Sequence, residues 1–144
     1  MSTDDSENSD SRSVRQRALI LVVERNPIVQ RLERYFLEQA GYSVEFSSDG
    51  ETALDRINKL KPAIVVTEIL VPKLDGLSLC RIIKSDPSSR HILVLVFSHL
   101  HAEDRAREAG ADAFLVKPLT EELLIETVER LLRLVQTKSA VKPK

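Results

Sequence analysis

Glycine is scarce in this chain. Its four glycines among 144 residues, Gly41, Gly50, Gly76 and Gly110, lie too far apart to write a G-x-G-x-x-G fingerprint or a P-loop, which excludes a glycine-rich phosphate cradle. Cysteine is scarcer: Cys80 stands alone, so an internal disulfide is excluded and a reducing compartment is the natural home. It falls among Leu77, Leu79, Ile82 and Ile83 at helical spacing, which marks a core side chain rather than a reactive thiol. An excess of charge is also missing. Lys plus Arg is 21 against 22 for Asp plus Glu, a formal charge of −1, so no global field draws the chain to nucleic acid or lipid headgroups. No apolar run approaches the ~20 residues of a spanning helix, and the polar first sixteen residues contain neither a signal peptide nor an anchor. These absences describe a soluble, cytoplasmic chain whose partner is recognised through local surface.

What is present is enough apolar material, 42% of residues, for one core. Residues 1–16 are low in hydrophobicity and rich in small polar groups, which predicts a disordered tail; residues 137–144 are predicted to be a second flexible tail, leaving one domain over 17–136. Within it, short β-branched runs alternate with segments of helical period, the pattern of parallel strands joined by crossover helices. Strands are predicted at Ala18 to Val23, around Val44, at Ala63 to Thr67, at His91 to Phe97 and at Ala113 to Val116. The second alternates apolar with polar residues and is placed at a sheet edge; the fourth is almost continuously apolar and is placed in the centre. Inward helix faces are predicted at Ile28, Leu32, Tyr35 and Phe36 after an Asn26-Pro27 start, at Ala53, Leu54, Ile57 and Leu60, and at Leu124, Val128, Leu131 and Val135 after a Thr120 cap. The expected fold is α/β, a single doubly wound (βα)5 domain.

In such a sheet, ligands bind beyond the carboxyl ends of the strands. The residues found there are Glu24 and Arg25 after the first strand, Glu68 after the third, Ser98 after the fourth, and Lys117 with Pro118 after the fifth. Together with Pro72, Asp75-Gly76 and the run Gly110-Ala111-Asp112-Ala113-Phe114-Leu115-Val116-Lys117-Pro118, this constellation resembles a bacterial response-regulator receiver domain over about residues 17 to 135. The resemblance implies a flavodoxin-like, chemotaxis-type fold with strand order 2-1-3-4-5. It also implies an acidic pair after the first strand and an Asp after the third that bind Mg²⁺, the Asp taking a phosphoryl group from a histidine kinase. The hydroxyl at Ser98 and the aromatic at Phe114 correspond to the family's switch residues, and Lys117-Pro118 to its cis-proline turn.

Here the pattern departs from the family. The second acid position is Arg25 and the acceptor position is Glu68, so the active-site cluster Glu24, Arg25, Glu68, Ser98 and Lys117 reads as degenerate. Mg²⁺ demands near-octahedral oxygen ligands, and a guanidinium beside its site opposes it. The extra methylene of Glu68 displaces a nucleophile by about an ångström, which costs on the order of 100-fold in a positioned reaction. With Arg25 and Lys117 balancing Glu24 and Glu68, the cluster is expected to close on itself without metal, both cations bridging the carboxylates. No catalytic residue, cofactor or metal is then expected; Glu24 and Glu68 are the ligands if Mg²⁺ binds after all. Glu68 could also imitate a phosphorylated acceptor. Phe114, lacking a hydroxyl, is expected to be mostly buried.

The segment from Ser98 to Lys117 is about one helical turn shorter than the family norm, so the face of helix four, strand five and helix five, a usual partner surface, is expected to differ in shape. His91, His99 and His101 form no complete ligand set and read as solvated. Asp75 and Gly76 are expected to shape a helix entry, and Asp112 is read as a loop acid. The function expected from these residues is that of a stand-alone pseudo-receiver, not an enzyme, acting in signal transduction by phosphorylation-independent protein contact as a monomer or weak dimer, with no nucleic acid or membrane partner. A working phosphorelay receiver using Mg²⁺, and a scaffold subunit of a larger assembly, stand as alternatives.

Overall fold

The computed structural model describes residues 18–141. The expected 1–16 tail lies outside them. Five parallel strands, β1 (Leu19–Val23), β2 (Ser43–Ser47), β3 (Ile64–Thr67), β4 (Leu93–Ser98) and β5 (Ala113–Val116), alternate with helices α1 (Pro27–Gln39), α2 (Gly50–Leu60), α3 (Gly76–Ser85), α4 (Glu103–Glu108) and α5 (Glu121–Val141). The sheet order is β2-β1-β3-β4-β5. This is the (βα)5 flavodoxin-like arrangement with β2 at one edge, as its alternating pattern implied.

Strand alternation divides the core in two. Leu21, Val23, Val65, Val94 and Val96 point into a cluster with Ala53, Ile57, Leu79, Cys80 and Ile83 of α2 and α3. Ile20, Val22, Ile64, Val66, Leu95 and Phe97 point the other way, against Leu37 of α1 and Leu124, Val128 and Leu131 of α5. β1, β3 and β4 are buried on both faces because helices cover both, which is why they read as unbroken apolar runs. Complete burial of such a side chain contributes about 1.5–3 kcal/mol.

Local signals set the helix starts. Asn26 accepts from the amides of Ile28 and Val29 with Pro27 at the first helical position, Asp49 accepts from Thr52 N, and Asp75 accepts from Ser78 N. Asp75 therefore shapes a helix entry, as expected. Gly76 is required there: a Cβ would lie 2.2 Å from the Glu68 carbonyl oxygen. Gly41 and Gly110 follow helix ends at φ 98° and 97°, the left-handed conformation that only glycine adopts freely.

The face of α1 differs from expectation. Ile28, Leu32 and Tyr35 are exposed (67%, 43% and 59%), while Glu33 and Leu37 are buried and Phe36 is half-buried. α1 carries two apolar stripes about a third of a turn apart. The cap at Asn26 and the exit from β1 fix the helix azimuth so that Val29, Glu33, Phe36, Leu37 and Ala40 face the sheet. Two terminal positions also differ. Leu60 is 40% exposed in the last turn of α2, just before left-handed Lys61, and Val135 is 41% exposed in α5 beyond the last buried turn at Leu131. α5 continues to Val141, five residues past the expected domain end at 136. Residues 142–144 of the expected tail lie outside the described residues.

Candidate functional site

The parallel register of β1, β3, β4 and β5 brings Glu24, Glu68, Ser98 and Lys117 together at the carboxyl edge. All four are buried, although three carry formal charge. Lys117 Nζ lies 2.6 Å from Glu24 Oε1 and 2.9 Å from Glu68 Oε1, so one ammonium bridges both carboxylates. It also lies 5.5 Å from the centroid of the Phe97 ring, a cation–π distance. The Lys117-Pro118 peptide is cis.

Each carboxylate has a second set of donors. Glu24 Oε2 accepts from Asn26 N at 3.1 Å, and its carbonyl accepts from the Gln30 side chain. Glu68 Oε2 accepts from Ile69 N at 2.7 Å, Leu70 N at 3.2 Å and the Ser98 hydroxyl. Exposed His99 places Nδ1 3.6 Å from Glu68 Oε1. Burial pushes the Glu68 carboxyl up, but the Ser98 and Lys117 hydrogen bonds outweigh it and hold the group below its ordinary value. Burial likewise pulls the Lys117 ammonium down, and its bonds to Glu24 and Glu68 more than restore it, leaving it above the ordinary lysine value.

Arg25 does not join this cluster. The cluster was expected to contain two bridging cations; instead Arg25 is exposed and forms no ion pair among the described residues. The reason is strand parity. Glu24 continues the alternation of β1 into the site, so the next side chain leaves on the other side just before the Asn26 cap. The cluster thus holds two carboxylates against one ammonium, a net −1 rather than neutrality.

Phe114 is half-buried, packed on the core beneath α3 and α4, where it borders a cleft with Ala106 and Arg107. His91 and His101 are exposed. Cys80 is buried, its thiol pushed up to about 11 by burial, with Sγ 3.4 Å from the Ala109 carbonyl oxygen. Asp112 does more than a loop acid: it accepts from Val94 N at 2.8 Å and pairs with Lys84 Nζ at 2.8 Å, tying the start of β4 to α3.

Two contributors escaped the sequence reading. The amides of Ile69 and Leu70 leave no trace in residue identity. Glu33 could have been found by following the stripe Val29, Glu33, Leu37, but a charged residue there reads as outward.

The description "Response regulator receiver domain" fits residues 20–129. The chain belongs to that family. This receiver is 38% identical over 120 residues to a gliding motility regulatory protein of Myxococcus xanthus, covering 81% of this chain and 15% of that protein. It is 41% identical over 115 residues to the response regulator MprA of Mycolicibacterium vanbaalenii, covering 79% of this chain and 50% of that one. The chain therefore spans half or less of the length of these curated relatives. The solved receiver domain of the sensor histidine kinase PA1611 from Pseudomonas aeruginosa, which has a magnesium ion coordinated in its active-site cleft, superposes with a TM-score of 0.73 at 26% identity, over 79% of this chain and 96% of that one.

The donors present fit such an ion poorly. Among the described residues no group of three or more His, Cys, Asp or Glu side chains is placed to hold a metal, and the two carboxylates already share the Lys117 ammonium. Mg²⁺ would have to displace that ammonium with two protein carboxylates where the family uses three acids. No described helix is long and apolar enough to cross a membrane.

Proposed function

We propose that this receiver signals through protein–protein contact with its carboxylate cluster closed by Lys117, and that it takes up neither Mg²⁺ nor a phosphoryl group. The observation that carries the reading is the bridge itself: the acceptor-position carboxylate of Glu68 is ion-paired through Oε1 with Lys117 at 2.9 Å, without a hydrogen bond to that oxygen, and accepts on Oε2 from Ser98 and two backbone amides. A nucleophile whose Oε2 already accepts three hydrogen bonds, and whose charge is partly offset by the ammonium it shares with Glu24, is poorly placed to attack. Glu68, accepting from the Ser98 hydroxyl and ion-paired with Lys117, holds negative charge against the switch hydroxyl. The partner surface is the face of α4, β5 and α5, which carries half-buried Phe114 and exposed Val116 and Leu123.

The relatives favour a second reading, in which Glu68 accepts a phosphoryl group with Mg²⁺ held by Glu24 and Glu68. One of them is named a response regulator, and one related receiver domain has a magnesium ion coordinated in its active-site cleft. One titration separates the two. The purified domain receives Mg²⁺ and then acetyl phosphate, followed by amide NMR and intact mass. Unmoved resonances at Glu24, Glu68 and Lys117 and an unchanged mass support the closed receiver; Mg²⁺-dependent shifts followed by a labile phosphoryl adduct establish the phosphorelay reading in its place.

A further inference from the structure

Four acidic or basic side chains are buried among the described residues, and the cluster at the strand ends uses three of them. The fourth is Glu33, 1% exposed on the sheet-facing side of α1, one turn before Leu37 in the second core cluster. Its Oε1 has no hydrogen-bond partner among the described residues. An ionised carboxylate in that position would be an unpaired charge in an apolar setting, among the costliest arrangements in a protein interior.

The surrounding charges do not relieve it. From the strand ends Glu33 feels Glu24 and Glu68, which oppose its ionisation, and Lys117, which favours it but is already bonded to both. On α5, Glu122 and Glu126 are exposed and Glu129 is half-buried, all acidic. β2 sends Val44 and Phe46 towards α1 and its Glu45 the other way, to Arg56. On α1 itself Arg31 and Arg34 are exposed, and Arg34 pairs with Glu38. Burial first, then Glu24, raises the Glu33 carboxyl to about 8.

We propose that Glu33 sits in the core as a neutral carboxylic acid and serves as a proton-linked latch for α1. When Glu33 gives its proton to solvent, the carboxylate leaves the apolar face, carries the middle of α1 outward, and uncovers the Glu24–Lys117 end of the sheet. The side chain can only leave by moving the helix, because Leu37 and Phe36 on the same stripe are packed on β1 and β2. The outer stripe of α1 is already exposed at Ile28, Leu32 and Tyr35, so among the described residues no element blocks that motion from outside. The latch is independent of whether Glu68 accepts phosphate.

The experiment is a pH titration from 4 to 9.5 of the full chain labelled with ¹³C at glutamate Cδ and ¹⁵N throughout, in wild type, Glu33→Gln and Glu33→Leu. The expected result is a Glu33 Cδ midpoint near pH 8, with amide shifts in α1 and at Lys117 following the same midpoint and absent from both variants. One unit above that midpoint the ionised form is favoured about tenfold, so hydrogen exchange of the α1 amides at pH 9 should be faster in wild type than in Glu33→Gln by that order. A Glu33 Cδ midpoint near the ordinary 4.5 overturns the proposal. So does a midpoint near 8 that leaves α1 unmoved, since the proton would then be held without a latch. Should the variants fail to fold, the wild-type titration alone decides.

Discussion

Replacing Lys117 with methionine removes the single ammonium shared by two buried carboxylates and leaves both uncompensated. Removing one partner of a buried ion pair costs about 3–5 kcal/mol, a large share of the roughly 5–15 kcal/mol that holds a domain together. With a urea m-value of about 2 kcal/mol per molar, the unfolding midpoint at pH 7 should fall by about 2 M. The chain has no tryptophan, so circular dichroism at helical wavelengths is the readout. The pH dependence tests the cause. Glu68 is held below its ordinary value, so its pairing contributes stability above pH ~4.5 that is lost as pH falls through the lowered value; Lys117 is held above its ordinary value, so its contribution persists below pH ~10.5 and is lost as pH rises beyond it. The deficit of Lys117→Met should therefore be largest between about pH 5 and 10 and shrink as pH falls from about 4.5 through the lowered Glu68 value. Adding Glu24→Gln to Lys117→Met should restore part of the loss. A deficit under about 1 kcal/mol at pH 7, or one constant from pH 7 to pH 4, would refute the bridging role.

Glu33→Leu should stabilise the domain: with the carboxyl raised from 4.5 to about 8, wild type loses stability as pH rises between those values at about 1.4 kcal/mol per unit, and chemical denaturation of the variant should lack that slope. Gly76→Ala should cost about 1–3 kcal/mol in the same assay despite alanine's better helix propensity, because the added Cβ meets the Glu68 carbonyl. Arg25→Ala should shift stability by less than about 0.5 kcal/mol, since the side chain is exposed and forms no ion pair among the described residues; a loss of about 2 kcal/mol would return Arg25 to the cluster.

The architecture was legible because burial on both sheet faces writes itself as unbroken β-branched runs, and because Asn26, Asp49 and Asp75 announce their helices. The site was legible as a set of strand ends: Glu24, Glu68, Ser98 and Lys117 do meet. Arg25 was misplaced because adjacency in sequence was read as adjacency in space, whereas neighbouring residues at a strand end leave on opposite sides. The face of α1 was misread for a different reason. Ile28, Leu32 and Tyr35 form as good an apolar stripe as the buried one, and the choice between them is made by tertiary geometry that periodicity does not contain.

The two misreadings are physically connected. Had Arg25 turned inward, the cluster would carry two cations for two carboxylates, and a third acid beside it could have ionised against a neutral neighbourhood. With Arg25 outside, the second charge is dispersed over Asn26 N, Ile69 N, Leu70 N and the Ser98 hydroxyl, none of which carries a full positive charge to offer Glu33. The outward arginine therefore leaves Glu33 facing a net negative cluster, and that field adds to burial in keeping its proton in place. Making Lys117 neutral should raise the Glu33 midpoint further, and neutralising Glu24 should lower it.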